Sequence, residues 1–307
     1  MLVDQEARMA QTKPGRVAIM SAGEMGAGIG WALQRGGVEV YTCLAGRSEL
    51  TRRRAREAGL REAPDLDALV AGADLFLSVL VPGEAVPLAQ AVAASMRRTG
   101  ARPVFAECNA IAPATVRAIE GLVRAEGAEF IDAGIIGGPP REGYSPHIHC
   151  SGPDTSALES LRDCGLDVRY VGPLVGQASG LKMVYAASTK GTTALWTELL
   201  TAARAMGLEE ALRAELKDGP TFRQQENSIP GMPNRARRWV AEMEEIAATF
   251  AALGLTPRIL EGAADMYRLV GETPLADLTA RDPRPSLDEV LETLKQQLAQ
   301  PADAGRG

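Results

Sequence analysis

Between Arg16 and about Gly172 the chain repeats one pattern, a short apolar run followed by a stretch of helical periodicity. The runs are RVAIMS (16–21), VEVYTCL (38–44), DLFLSVLV (74–81), PVFAEC (103–108), EFIDAGI (129–135), HIHCSG (147–152) and DVRYVG (167–172). Amphipathic stretches lie between the early ones at 25–35, 48–58, 84–98 and 113–126, and helix-start residues stand at Ser48, Asp65, Pro113 and Asp154. Strands apolar along their whole length are covered on both faces, and each helix between them serves as a crossover. The expected fold class is α/β, with a Rossmann-type doubly wound, mostly parallel sheet.

After Gly176 the pattern changes. Gln177 to Met206 contains no proline and no strand signal, and reads as one helix of about 30 residues, roughly 45 Å long. Further helical patterns run over 208–216, 234–253, 257–270 and 286–299, while Lys217–Pro233, with its DGP and IPGMP segments, reads as a loop. The organisation expected is a disordered leader over 1–14, a nucleotide-binding α/β domain over 15–175 and an all-α domain over 176–307. So long a helix is poorly covered by the remaining chain, which favours a homodimer built around it.

Composition narrows the function. The net charge is −6, so no broad cationic face is offered to nucleic acid or anionic lipid. No apolar run approaches the ~20 residues that span a bilayer, and the first residues lack a signal-peptide core. The four cysteines are dispersed and read as small buried hydrophobes of a reduced, cytoplasmic protein. Both histidines lie in His147-Ile148-His149-Cys150. In a strand the two rings share one face and Cys150 takes the other, so no metal site is expected there. With so little histidine, a lysine, tyrosine or carboxylate must move any catalytic proton, or a cofactor must carry the hard step.

The first apolar run leads into Ser21-Ala22-Gly23-Glu24-Met25-Gly26 and then a helix, the G-x-G-x-x-G dinucleotide turn with serine in its first glycine slot. Gly23 lets the backbone approach a pyrophosphate, Gly26 lets helix and strand pack closely, and the helix N-terminus attracts phosphate. About 20 residues on, where an NAD site places an acid against the ribose diol, the chain reads Ala45-Gly46-Arg47-Ser48. Arg47 suits a 2′-phosphate and Ser48 adds a hydroxyl, so NADP(H) is expected in preference to NAD(H). Leu80, Val81, Pro82 and Asn109, at the ends of the third and fourth runs, complete the expected cofactor contacts.

Taken in order, four motifs resemble the β-hydroxyacid dehydrogenase family, which includes 6-phosphogluconate and 3-hydroxyisobutyrate dehydrogenases, with imine reductases as relatives. They are Ala22–Gly26, Glu107-Cys108-Asn109-Ala110-Ile111-Ala112-Pro113, Asp132-Ala133-Gly134-Ile135-Ile136-Gly137-Gly138, and Gly176-Gln177-Ala178-Ser179-Gly180-Leu181-Lys182. The closest match is to poorly characterised members with their own C-terminal helical domain. The resemblance implies hydride transfer between the nicotinamide and a 3-hydroxy acid, with Lys182 as general acid/base. Near the start of its helix, the dipole, a nicotinamide cation and burial would lower the lysine's pKa. It also implies a small-molecule substrate held by Asn109, Ile136, Gly137, Gly138, Lys182, Tyr185, Ala186, Thr189 and Arg238. Ile136 and Ala186 stand where the family has serine and asparagine, so a bulkier or less polar substrate is expected. Lys190 reads as a surface or dimer contact, and Arg235, Arg237 and Arg238 as an anion clamp or a solvated face. Two other readings stay open: a C=N reductase and a non-catalytic NADP(H) sensor.

Overall fold

The computed structural model describes residues 13–217, 219–279 and 282–299. Most of the leader expected over 1–14 lies outside the described residues. The chain divides into two compact units that part between Met183 and Val184, beyond the 175/176 boundary read from the sequence.

The first unit is built on an eight-stranded sheet of order β3-β2-β1-β4-β5-β6-β7-β8. Its strands are β1 (Arg16–Met20), β2 (Glu39–Cys43), β3 (Arg61–Ala63), β4 (Leu75–Ser78), β5 (Val104–Glu107), β6 (Phe130–Ile136), β7 (His147–Ser151) and β8 (Asp167–Gly172). Every neighbouring pair is parallel except β6 and β7. The helices are α1 (Glu24–Arg35), α2 (Glu49–Glu57), α3 (Leu66–Ala71), α4 (Ala85–Thr99), α5 (Pro113–Arg124) and the short α6 (Ser156–Glu159). The α/β, Rossmann-type sheet expected from the sequence is thus present. Strand β3 was not among the apolar runs, because Arg61-Glu62-Ala63 forms a short edge with two exposed side chains.

Local chemistry starts these helices where the sequence signals them. Ser48 Oγ accepts the Thr51 amide, Asp65 Oδ1 accepts that of Ala68, and Pro113 occupies the first turn of α5. Buried residues line both faces of the sheet. On one face Phe76, Phe105 and Phe130 are cross-strand partners, stacked with centroids 5.5 and 5.9 Å apart. Burial of each ring stabilises the sheet by about 1.5–3 kcal/mol.

The second unit is helical. The long helix expected over 177–206 forms as α7 (Gln177–Ala186), most of which belongs to the first unit, a π-helical turn (Ala187–Gly191) and α8 (Thr192–Ala205). Then come α9 (Glu209–Leu216), α10 (Pro220–Ser228), α11 (Ala236–Ala252), α12 (Arg258–Gly271) and α13 (Leu287–Ala299). The loop expected at 217–233 is corrected by α10. Pro220 sits in its first turn, where a missing N–H costs nothing, and its buried Gln225 accepts from Thr193 Oγ1 at 3.0 Å. No described helix is long and apolar enough to cross a membrane.

The close packing of α1 on β1 rests on Gly26. A Cβ there would lie 1.9 Å from the Ser21 carbonyl oxygen and 3.2 Å from Ile19 Cγ2. Gly26→Ala is expected to destabilise the protein by about 3 kcal/mol, at the top of the usual over-packing cost. An unchanged midpoint in urea unfolding would show that helix and strand separate freely.

Candidate functional site

The strand order reverses beside β1: the chain builds outward to β2 and β3, then returns to place β4 on the other side. A crevice opens at such a point above the carboxyl ends of the strands. Ser21 to Gly26 fills the turn there. Ser21 N–H donates to the Val79 carbonyl at 2.8 Å, tying the turn to the end of β4. Ala22 is fully buried, Gly23 and Met25 are half-buried and Glu24 is exposed. Gly23 is the N-cap of α1 and supplies no side-chain cap, so the leading amides of the helix are left for an external acceptor. These residues fit a dinucleotide pyrophosphate.

Strand β2 ends in the turn that carries Gly46, at φ +70°, and Arg47. Arg47 is half-buried, and its guanidinium has no ion pair or hydrogen bond among the described residues. Ser48 is committed to capping α2. Across the crevice, Val81 is 50% exposed and Pro82 opens a single 3-10 turn. Leu80 N–H donates to Asn109 Oδ1.

Asn109, expected to contact cofactor and substrate, is bonded internally. Its side chain is buried, with Nδ2 donating to Ser78 Oγ at 2.9 Å. Its backbone N–H donates to Glu107 Oε1, also at 2.9 Å. Asn109 therefore ties together the loops that follow β4 and β5.

Asp132 organises the other side of the site. Its Oδ2 accepts from Ser151 Oγ at 2.8 Å, from the backbone N–H groups of Gly176 (2.8 Å), Ala178 (3.1 Å) and Ser179 (3.1 Å), and from Ser179 Oγ (3.3 Å). A carboxylate thus receives the leading amides of α7, where the helix dipole favours negative charge. One turn on, Lys182 Nζ donates to the Ile135 carbonyl at 2.6 Å. Gly134 makes the approach feasible, since a Cβ there would lie 2.8 Å from the Ala178 carbonyl oxygen and 3.0 Å from Lys182 Cβ. Lys182 thereby stands at the end of β6, beside Ile136, Gly137 and Gly138.

The N–H of Gly138, expected among the substrate contacts, donates to Tyr144 Oη at 3.1 Å. Gly137, at φ +131°, leaves that hydroxyl room, because a Cβ would come within 2.4 Å of it. Sequence reasoning missed Tyr144, which lies in the β6–β7 connection and in none of the motifs.

The remaining expected site residues belong to the second unit. Tyr185 is 46% exposed, but Ala186 is buried and Thr189 Oγ1 is taken by the carbonyls of Tyr185 and Ala186. Arg238 is half exposed, with Nε 3.6 Å from Glu242 Oε1. Arg237, read as part of an anion clamp or a solvated face, is exposed and donates to the Gly271 carbonyl (2.9 Å) and to Asp277 (2.6 Å). Lys190 is not a surface residue. Its side chain is 17% exposed, pairs with the buried Glu242 and lies over the Trp239 ring.

His147 and His149 share one face of β7, with rings edge to face at 6.2 Å, and Cys150 is buried on the opposite face. No group of three potential ligands gathers among the described residues.

Comparison with known proteins agrees with this architecture. Residues 16–164 match the NAD binding domain of 6-phosphogluconate dehydrogenase, and 203–270 match a domain of unknown function, DUF1932. An uncharacterised 28.5 kDa protein of Methanothermus fervidus is 28% identical over 238 residues, spanning 76% of this chain and 91% of that one. The structure of the conserved protein MTH1747, described as similar to 3-hydroxyacid dehydrogenases, is 31% identical with a TM-score of 0.63, covering 83% of this chain and 99% of that one. Mycobacterium tuberculosis 3-hydroxyisobutyrate dehydrogenase shares the fold at 20% identity and a TM-score of 0.67, covering 91% of this chain and 99% of that one. The chain therefore belongs to the 3-hydroxyacid dehydrogenase-like family that joins a 6-phosphogluconate dehydrogenase-type NAD-binding domain to a DUF1932 domain.

Proposed function

We propose that the protein is an NADP(H)-dependent oxidoreductase acting on a 3-hydroxy acid or its oxo form, with Lys182 as general acid/base. The observation that carries this reading is the placement of Lys182. Its ammonium meets the carbonyl end of β6 at Ile135, on a helix turn tied to Asp132, in a domain of the dinucleotide-binding type. When bound, the nicotinamide supplies or accepts the hydride. The chain must then move one proton at the substrate oxygen, and Lys182 is the group at the strand end that can hold it. The Ile135 carbonyl orients Nζ before substrate arrives.

NADP(H) is preferred in this reading because Arg47 follows β2 without a competing side-chain partner, and no acid stands at that strand end. Ile136 gives the substrate wall an apolar side chain, which suits a bulkier or less polar group than a small hydroxy acid carries. The same wall, with the Gly138 amide already bonded to Tyr144, favours C=N reduction as the second reading. Imine reductases share this fold, the enzyme from Myxococcus stipitatus at 18% identity and a TM-score of 0.54. A homodimer is part of the proposal, with a second copy covering exposed Val184, Leu195, Leu255 and Ile259 of the helical unit.

Turnover measured with 3-hydroxy acids, aldehydes and cyclic imines would separate the two readings. Lys182→Ala is expected to lower kcat by about 10²–10⁴-fold while nucleotide affinity holds. Full activity in that variant overturns the acid/base assignment. Arg47→Ala should weaken NADPH binding by about 10–100-fold, the loss of a charged hydrogen bond, and leave NADH binding nearly unchanged. Equal weakening of both cofactors would refute the 2′-phosphate contact. Light scattering should give the mass of two chains, and a monomer would sink the dimer.

A further inference from the structure

Two carboxyl groups stand side by side in the floor of the first unit, and the reaction proposed above uses neither. Ser78, Glu107, Asp132 and Ser151 are cross-strand partners on β4, β5, β6 and β7, forming a polar row across the sheet. The row lies two residues beyond the Phe76–Phe105–Phe130 ladder and on the same face. All four of its residues are fully buried. Neighbouring strands are ~4.8 Å apart, so Glu107 and Asp132 are within side-chain reach of each other.

Each carboxyl has one satisfied and one orphaned oxygen. Glu107 Oε1 accepts the Asn109 amide and Asp132 Oδ2 accepts the donors of α7 and Ser151, while Glu107 Oε2 and Asp132 Oδ1 are buried without a partner. Two ionised carboxylates in that arrangement would repel at close range in a low dielectric, with two acceptors unpaired. One proton between them removes both penalties.

We propose that Glu107 is held protonated and donates from Oε2 to Asp132 Oδ1, which makes it a positioning residue for the helix turn that presents Lys182. The assignment of the proton to Glu107 follows from the donors. Burial pushes the Asp132 carboxyl up, but its five donors on one oxygen oppose that rise and favour the charged form. Burial pushes the Glu107 carboxyl up to about 7, overcoming the hydrogen bonds from Asn109 and Ser78, and the Asp132 charge adds to the rise.

The other groups near the pair do not supply this proton. Cys108, which follows β5, and Cys150 of β7 are on the opposite face of the sheet, and burial pushes both thiols up. On α5 Arg117 reaches toward Gly176, and on α7 the Lys182 ammonium is directed to Ile135. Neither Ser78 nor Ser151 titrates in this range.

The sign of the pH effect follows. A carboxyl whose folded pKa is raised contributes its stability below the unfolded value of 4.5, and loses it as pH rises through about 7. Above that, a second negative charge lies beside Asp132 and weakens its hold on the amides of Gly176, Ala178 and Ser179.

The test compares wild type, Glu107→Gln and Glu107→Ala from about pH 5 to about pH 9, by infrared spectroscopy of the carboxyl band and by amide exchange. Wild type should show a protonated-carboxyl band that disappears with a midpoint near 7, and Glu107→Gln should lack it. Exchange protection at residues 176, 178 and 179, corrected for intrinsic rate, should fall about tenfold across that midpoint in wild type and stay constant in Glu107→Gln. The glutamine amide supplies the missing donor at every pH. Glu107→Ala should lack protection throughout, whether by loosening the turn or by failing to fold. A wild-type spectrum without the band, a band that persists in Glu107→Gln, or a Glu107→Gln protein that does not fold would each overturn the proposal. The link to turnover rests on the reading of Lys182 given above. These measurements need no turnover, so an inactive Lys182 leaves the shared proton standing.

Discussion

The placement of Lys182 depends on a single buried carboxylate. Asp132 is buried in β6, where burial pushes its carboxyl up, and five donors on one oxygen oppose that rise. Three of those donors are amides that any helix leaves unsatisfied at its start. The sheet thus completes the helix and the helix stabilises the charge in the sheet. Gly134 then removes the one Cβ that would hold α7 away from β6. The Lys182–Ile135 contact is the end product of that fit.

The same mutual dependence explains why the polar row does not disrupt the core. Pleating returns a side chain to the same face every two residues, so the face that stacks three phenylalanines at one level carries Ser78, Glu107 and Asp132 at the next. The aromatic level contributes burial. On β4 and β5 the polar level is the last residue of the strand, where the chain turns into loops that must be fixed. Asn109 joins the levels of β4 and β5, with its amide on Ser78 and its carbonyl oxygen on Leu80.

Much of this was legible in the chain. Seven of the strands and the helices between the early ones follow from periodicity, because a buried parallel strand must be apolar throughout. The Gly26 contact and the caps at Ser48 and Asp65 follow from local chemistry. What could not be read was which polar groups are spent internally. Asn109, Gly138 and Arg237 each have donors or acceptors suited to a ligand, yet the fold brings Ser78, Tyr144 and Asp277 to them from 31, 6 and 40 residues away. Nor does periodicity record the pairing of Glu107 with Asp132, since register between strands is set by the whole sheet. The helix over 220–228 was hidden because proline reads as a breaker, although at a first turn it is a starter.

Lys190 shows a second solution to buried charge, in the helical unit. Burial lowers its pKa and Glu242 opposes that shift, so an opposite charge does there what a shared proton does between Glu107 and Asp132. The lysine lies in the π-helical turn, where the regular carbonyl–amide ladder is interrupted. Its own carbonyl accepts from Tyr267 Oη at 2.6 Å, and Trp239 packs edge to face on that tyrosine at 5.3 Å. Tyr267 is fully buried, so its hydroxyl would be costly to strand without an acceptor. The irregular backbone and the buried phenol therefore satisfy each other. A helix that followed the 3.6-residue period through 187–191 would direct that carbonyl into its own ladder, which ties the π turn to the packing of α12 rather than to any weakness in the local sequence.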